Sequence, residues 1–145
     1  MKTVNLNTLD LMEGWFAEDP TVHFRANFAL SGGNGTSDSA VVYIELEPGL
    51  ALGNHTDSPE EVLLVLDGEV EFLVGEERAR GGPGTLAVVP PMVEHGMRNV
   101  GDGPARIVGF FPNPGVVATF VSAIQPIDQR VMIFGEAAIA SATAG

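Results

Sequence analysis

The sequence has no cysteine, which excludes a disulfide framework, a thiolate metal site and a cysteine nucleophile. Only seven of its 145 residues are lysine or arginine, against nineteen acids, for a formal net charge of −12. With no basic cluster to offset phosphate repulsion, DNA and RNA are excluded as partners. An anionic membrane surface is disfavoured for the same reason, and solubility accounts for the acidity itself. Long apolar runs are missing too: none approaches the ~18 residues of a membrane-spanning helix. The N-terminal "MKTVNLNTLDLMEGW" lacks a signal-peptide core, so a soluble, cytoplasmic protein is expected.

What is present points to one compact domain over residues 1–145. Hydrophobic residues make up 45% and charged residues 18%, enough apolar mass to bury a sizeable core. Eighteen glycines and ten prolines are spread without a repeat, as many tight turns require. Turn signals recur every ~8–12 residues, the spacing of an antiparallel β-sandwich or barrel. Strands are expected at "VHFRANFAL" (22–30), in "AVVYIELEPG" (40–49, strand then turn), twice in "EVLLVLDGEVEFLVGEE", and at "LAVVP", "EHGMRNV" and "ARIVGFFP". Asp67-Gly68 reads as a hairpin dipeptide joining two of them. "TLDLMEGWFAED" is expected to open as a short helical turn at Thr8 or Asp10. The barrel core is placed at about 22–112, flanked by short N- and C-terminal extensions. Residues 113–134 are expected as a short helix and an extended arm, and 135–145 as a flexible tail.

The chemistry concentrates in "LGNHTDSPEEVLLVLDGE", residues 52–69. Acids and a histidine crowd the mouth of a strand that wants burial, and a metal ion is one of few partners that compensates them there. The spacing is Gly49-x5-His55-x-Asp57-x3-Glu61-x6-Gly68, followed by Gly84-x5-Pro90-x-Met92-x2-His95-x3-Asn99. His55 and Asp57 are two apart, so on a strand both point to one face. His95 comes from a distant strand, so the four groups can converge.

This pair of motifs resembles the cupin superfamily, with patterns G-x5-H-x-H-x3-4-E-x6-G and G-x5-P-x-G-x2-H-x3-N. The resemblance spans the central half of the chain and departs at two anchors. Asp57 stands where the family has its second histidine, and Met92 where it has a glycine. It implies an all-β fold, the double-stranded β-helix or jelly-roll barrel. It also implies one divalent transition metal held by His55, Glu61 and His95, with Asp57 at a fourth position. As a ligand, Asp57 gives an oxygen-rich site that favours Fe, Mn or Zn, with Ni or Cu next. Turned aside, it orients a histidine and leaves two histidines and a carboxylate, the facial triad of non-haem iron oxygenases.

Glu61 or Asp57 is the candidate general base. Glu60 reads as a solvated neighbour and His23 as a surface or interface histidine. Asn99 is a candidate cap for the turn over 100–103. Tyr43, Phe72, Met97, Phe110 and Phe111 are candidates for a substrate pocket, ordinary core being the competing reading. Arg106, eleven residues past His95, is placed like the co-substrate arginine of 2-oxoglutarate oxygenases, or as a barrel-edge salt bridge. The expected activity is oxidation of a small organic substrate, similar to quercetinase-like dioxygenase cupins. A non-oxidative lyase or isomerase, or a binding protein without turnover, is the alternative. The resemblance also implies a homodimer joined through strands and arms, with "FRANFAL" and 116–134 contributing.

Overall fold

A computed structural model describes residues 1–138. After a 3-10 turn at Leu6–Thr8 come β1 (Met12–Phe16), β2 (His23–Gly32), β3 (Gly35–Thr36), β4 (Ala40–Leu46) and β5 (Ala51–Asp57). Then follow β6 (Glu61–Asp67), β7 (Val70–Val74), β8 (Glu77–Gly81), β9 (Leu86–Val89) and β10 (His95–Asn99). β11 (Ala105–Phe111), β12 (Gly115–Gln125) and β13 (Gln129–Gly135) complete the series. They form one curled sheet in the order β8-β7-β10-β5-β12-β1-β2-β4-β11-β6-β9, with β13 beside β12 and β3 beside β2. All pairings except β2–β3 are antiparallel. The architecture is the expected all-β jelly roll, and it includes no helix long and apolar enough to cross a membrane among the described residues.

Three local expectations are corrected. The helix expected after Pro112 is strand β12, flanked by β1, β5 and β13. "VVATFVSAI" carries β-branched residues that pack on a pleated surface and restrict a helix. β12 and β1 also lie between β5 and β2, so the sheet is continuous only through segments outside 22–112. The expected helical turn at Thr8 or Asp10 gives way to β1, whose Gly14, Trp15 and Phe16 pair across to β2 or β12. Asp67-Gly68 is a tight turn without a hairpin, because β6 pairs with β11 and β9 while β7 pairs with β10 and β8. Gly68 has φ +88° and lies against the backbone of Pro104 and Ala105, so it turns the chain from one half of the sheet to the other. Of the expected tail, Gly135 ends β13 and residues 136–138 form a helical turn. Residues 139–145 lie outside the described residues.

Alternation decides what faces inward. In β6, Glu61, Leu63 and Val65 are buried while their neighbours are half-buried. In β10, His95, Met97 and Asn99 are buried. Leu46, Leu63, Val65, Val70, Ile107 and Met97 join the main core cluster. Asn99 fixes the end of β10: its Nδ2 donates to the carbonyls of Leu46 and Gly103, both at 2.8 Å, and its Oδ1 accepts from Gly101 N at 2.9 Å.

Candidate metal centre

His55 on β5 and His95 on β10 are cross-strand partners, with ring centroids 4.2 Å apart. On the other side, Phe120 of β12 is opposite His55 and stacks on its ring at 4.5 Å. The β5–β10 register slips between this pair and Leu52↔Met97, so three residues of β5 span the distance of two on β10. This bulge lets Leu52 and His55 both face the interior despite their odd spacing.

Each imidazole is locked by its outer nitrogen. His55 Nδ1 lies 2.8 Å from the Gly53 carbonyl, and His95 Nδ1 lies 2.9 Å from the Val93 carbonyl. A carbonyl only accepts, so each Nδ1 is the protonated nitrogen and each neutral ring presents Nε2 as a lone pair. Asp57 Oδ2 lies 3.4 Å from His55 Nε2 and 3.1 Å from His95 Nε2. Glu61 Oε1 is 3.3 Å from His95 Nε2. All four residues are at least 95% buried, and with both rings neutral Asp57 Oδ2 and His95 Nε2 have no hydrogen-bond partner. Orphaned polar atoms at this depth cost about 1–3 kcal/mol each.

A metal ion bound here would resolve the cost. Donors about 2.1 Å from one ion in tetrahedral or octahedral array sit about 3.0–3.4 Å apart, matching the spacings here. One ligand atom each from His55, Asp57 and His95 fall within 4.8 Å of one another. Two imidazoles and two carboxylates are a donor set suited to a first-row divalent cation.

Without an ion, a proton on His95 Nε2 takes its place between Asp57 and Glu61. Burial opposes charge on His95, but Asp57 and Glu61 outweigh it and push its pKa up to about 10. Burial likewise opposes charge on Asp57, and the two histidines overturn it, holding its carboxyl below the usual range. Glu61 goes the other way, raised by burial and the adjacent Asp57.

The cluster opens onto a cavity of about 150 Å³, whose lining includes His55, Asp57 and Glu61. Met97 and Phe111 line it as well. The other pocket candidates are placed elsewhere. Val42 and Ile44 of β4 face the cavity, so Tyr43 points away from it. Likewise Arg106 and Phe110 alternate outward from Ile107, Gly109 and Phe111 on β11. Arg106 donates to Tyr43 Oη at 2.6 Å, Asp67 Oδ2 at 2.9 Å and Asn7 Oδ1 at 2.7 Å, the barrel-edge arrangement. Phe72 points inward, opposite Met97, and belongs to the packed core. Glu60 is exposed. His23 is half-buried against Trp15 and contacts Glu13 at 2.6 Å.

Two contributors were missed. A methyl group on Gly109 would overlap Glu61 Oε2, so this glycine makes the space for the carboxylate. A glycine inside the strand "RIVGFF" is the signal that points to such close approach. The hairpin of β12 and β13 brings Met132 and Phe134 to the cavity wall, which reading 113–134 as a short helix and an extended arm concealed.

Comparison with known proteins fits this geometry. A family model described as the cupin domain matches residues 42–111. No curated protein matches the chain by sequence. Among solved structures, a predicted oxalate decarboxylase from Thermotoga maritima is similar at 14% identity and TM-score 0.65, over 77% of this chain and 99% of that one. An oxalate decarboxylase variant from Bacillus subtilis gives 17% and 0.69, over 80% of this chain. DMSP lyase DddQ from Ruegeria pomeroyi gives 26% and 0.56, over 62% of this chain. The match spans 31% of the Bacillus protein and 47% of the lyase. With the fold, the two motifs and the family model in agreement, residues 42–111 of this chain are a cupin domain.

Proposed function

We propose that this cupin is a mononuclear divalent-metal enzyme of the dioxygenase type, acting on a small organic molecule. The observation that carries the reading is the pair of buried atoms left unpartnered with both rings neutral, Asp57 Oδ2 and His95 Nε2, beside a cavity lined by His55, Asp57 and Glu61. Fe, Mn or Zn suits two imidazoles and two carboxylates best, with Ni or Cu next. Such an ion polarises substrate oxygen as a Lewis acid and, when redox-active, supports reaction with dioxygen.

The chain's own residues do the rest. The backbone carbonyls of Gly53 and Val93 fix both histidines, and two carboxylates balance a 2+ charge. Asp57 faces both imidazoles, whereas Glu61 contacts His95 alone. Glu61 is therefore the carboxylate freer to hold a substrate proton as general base. A non-oxidative lyase is the second reading, favoured by the 26% likeness to a DMSP lyase.

The proposal extends to a cytoplasmic homodimer. Its support is β13, which among the described residues pairs with β12 alone and exposes Val131 and Ile133. Within "FRANFAL", Phe24, Ala26 and Phe28 line the cavity, which leaves the outward residues of this segment and 116–134 as the proposed contributors to the dimer. Sedimentation at micromolar concentration is expected to give twice the monomer mass.

The test of function is elemental analysis of purified protein, followed by oxygen uptake with flavonols, diketones and catechols. Near one ion per chain and substrate-dependent uptake are expected. Occupancy near zero after reconstitution overturns the enzyme reading. A full ion complement without uptake shifts the assignment to the lyase.

A further inference from the structure

The shape and charge of the cavity narrow its ligand beyond "small organic molecule". Its volume is about 150 Å³, and an apolar cavity of about that size accommodates one benzene ring. The walls match such a guest. Phe28 stacks on Phe134 at 4.2 Å and on Phe111 at 5.8 Å. Phe24, also on the wall, lies parallel to Phe120 at 6.2 Å. These rings offer faces and edges to a planar apolar body.

The charges exclude one large class of guest. The ionisable residues lining the cavity are His55, Glu13, Asp57 and Glu61, and no lysine or arginine lines it. All seven basic side chains are committed elsewhere. Lys2 pairs with Asn34, Arg25 with Glu45 and Glu47, and Arg78 and Arg80 with Glu71. Arg98 holds Gly49 O and Thr21, Arg106 holds Asp67, and Arg130 holds Phe120 O. With Asp57 and Glu61 already balancing a divalent ion, a dianion would leave the site at −2 in an apolar enclosure, with Glu13 nearby. Burying uncompensated charge in such surroundings is strongly unfavourable.

We propose that the cavity takes an uncharged molecule the size of a single ring, with an apolar body, and rejects oxalate, other dicarboxylates and multi-ring flavonols. The substrate class rests on the metal-enzyme reading above; the binding preference does not, because it can be measured without metal.

The experiment uses the full chain in metal-free and zinc-loaded forms, with binding followed by thermal shift and ligand-observed NMR. In the metal-free form, toluene is expected to bind at least tenfold more tightly than benzoate, the same ring with one negative charge. In the zinc-loaded form, catechol is expected to outbind oxalate and a flavonol by at least tenfold. Ala26→Phe, which projects a ring into the cavity, is expected to abolish the toluene shift without lowering the melting temperature of the free protein. Val42→Phe serves as the second filling variant if Ala26→Phe does not fold. No toluene binding, oxalate or flavonol equal to catechol, or a toluene shift that survives filling would each overturn the proposal. Failure of zinc to load, with toluene binding intact, would instead sink the enzyme reading and leave this one standing.

Discussion

The molecule carries two clusters of charged and polar side chains on neighbouring strands, and they are built in opposite ways. On the outer face, Arg106 is surrounded by Tyr43, Asp67 and Asn7 at 2.6–2.9 Å. On the inner face, His55, Asp57, Glu61 and His95 are more deeply buried, yet two of their atoms have no partner. The outer cluster is complete within the chain, so holding the barrel edge accounts for it. The inner one is satisfied only when a proton or a metal ion is added between its carboxylates and His95. Incomplete satisfaction at depth, rather than charge or burial alone, separates a binding site from a structural network.

The sharpest way to break this contrast is to remove one member from each side. His95→Ala is expected to weaken metal binding by at least ~100-fold, beyond the usual loss for an outer partner of a ligand, as read by calorimetry. Arg106→Ala is expected to leave metal affinity unchanged and cost about 1 kcal/mol of stability, since the ion pair is partly exposed. Equal effects of the two on metal binding would erase the distinction.

Gly109→Ala probes the inner face without touching a ligand. The added methyl displaces Glu61, so metal affinity is expected to fall ~10–100-fold. Overpacking is expected to cost about 1–3 kcal/mol besides. Metal titration and chemical denaturation measure the two effects separately.

Acidity sharpens the comparison next. Because the metal-free fold holds His95 at a pKa of about 10, an incoming ion displaces its proton below that pH. Metal affinity is therefore expected to rise towards tenfold per pH unit between pH 7 and 9, with proton release visible as a buffer-dependent binding heat. The sign reverses for stability of the metal-free chain. A raised histidine pKa stabilises the fold fully below the unfolded value of about 6.5, and the contribution is lost as pH rises through about 10. In the outer cluster, burial raises the Tyr43 hydroxyl above its ordinary value, and hydrogen bonds to Asp67 and Tyr43 raise Arg106.

The smallest effect concerns Met92, at φ +61° and 62% exposed, with its N–H bonded to the Asp57 carbonyl at 2.9 Å. It occupies the glycine position of the second motif. Met92→Gly is expected to relieve left-handed strain and add up to ~1 kcal/mol of stability, measured by denaturation, with the backbone bond to Asp57 retained.

Much of the inner cluster was legible in the sequence because its determinants are local. His55 and Asp57 share a face by strand periodicity, and the spacing to Glu61 allows one turn at Ser58-Pro59. The convergence with His95 was carried by the paired motifs, since no local rule brings β10 beside β5. What escaped depends on long-range pairing. Nothing near Asp67-Gly68 announces that its two strands separate to different neighbours. Likewise, β12 is a strand because β1, β5 and β13 flank it, and an apolar run with small residues reads equally as helix until those partners are known. The outward placement of Tyr43, Arg106 and Phe110 follows from parity. It was obscured because which parity faces inward on β4 and β11 is fixed by the sheet's curvature, and an aromatic or arginine fits either side.

The central claim is that the two orphaned atoms, with His55 and Glu61, are metal ligands. X-ray absorption at the metal edge of the reconstituted protein, compared with Asp57→Ala, tests it most directly. The account expects two imidazole nitrogens and at least two carboxylate oxygens at about 2.0–2.2 Å, with one oxygen lost from the coordination shell or replaced by water in the variant. An ion that does not load, or a shell without histidine scattering that Asp57→Ala leaves unchanged, would contradict it.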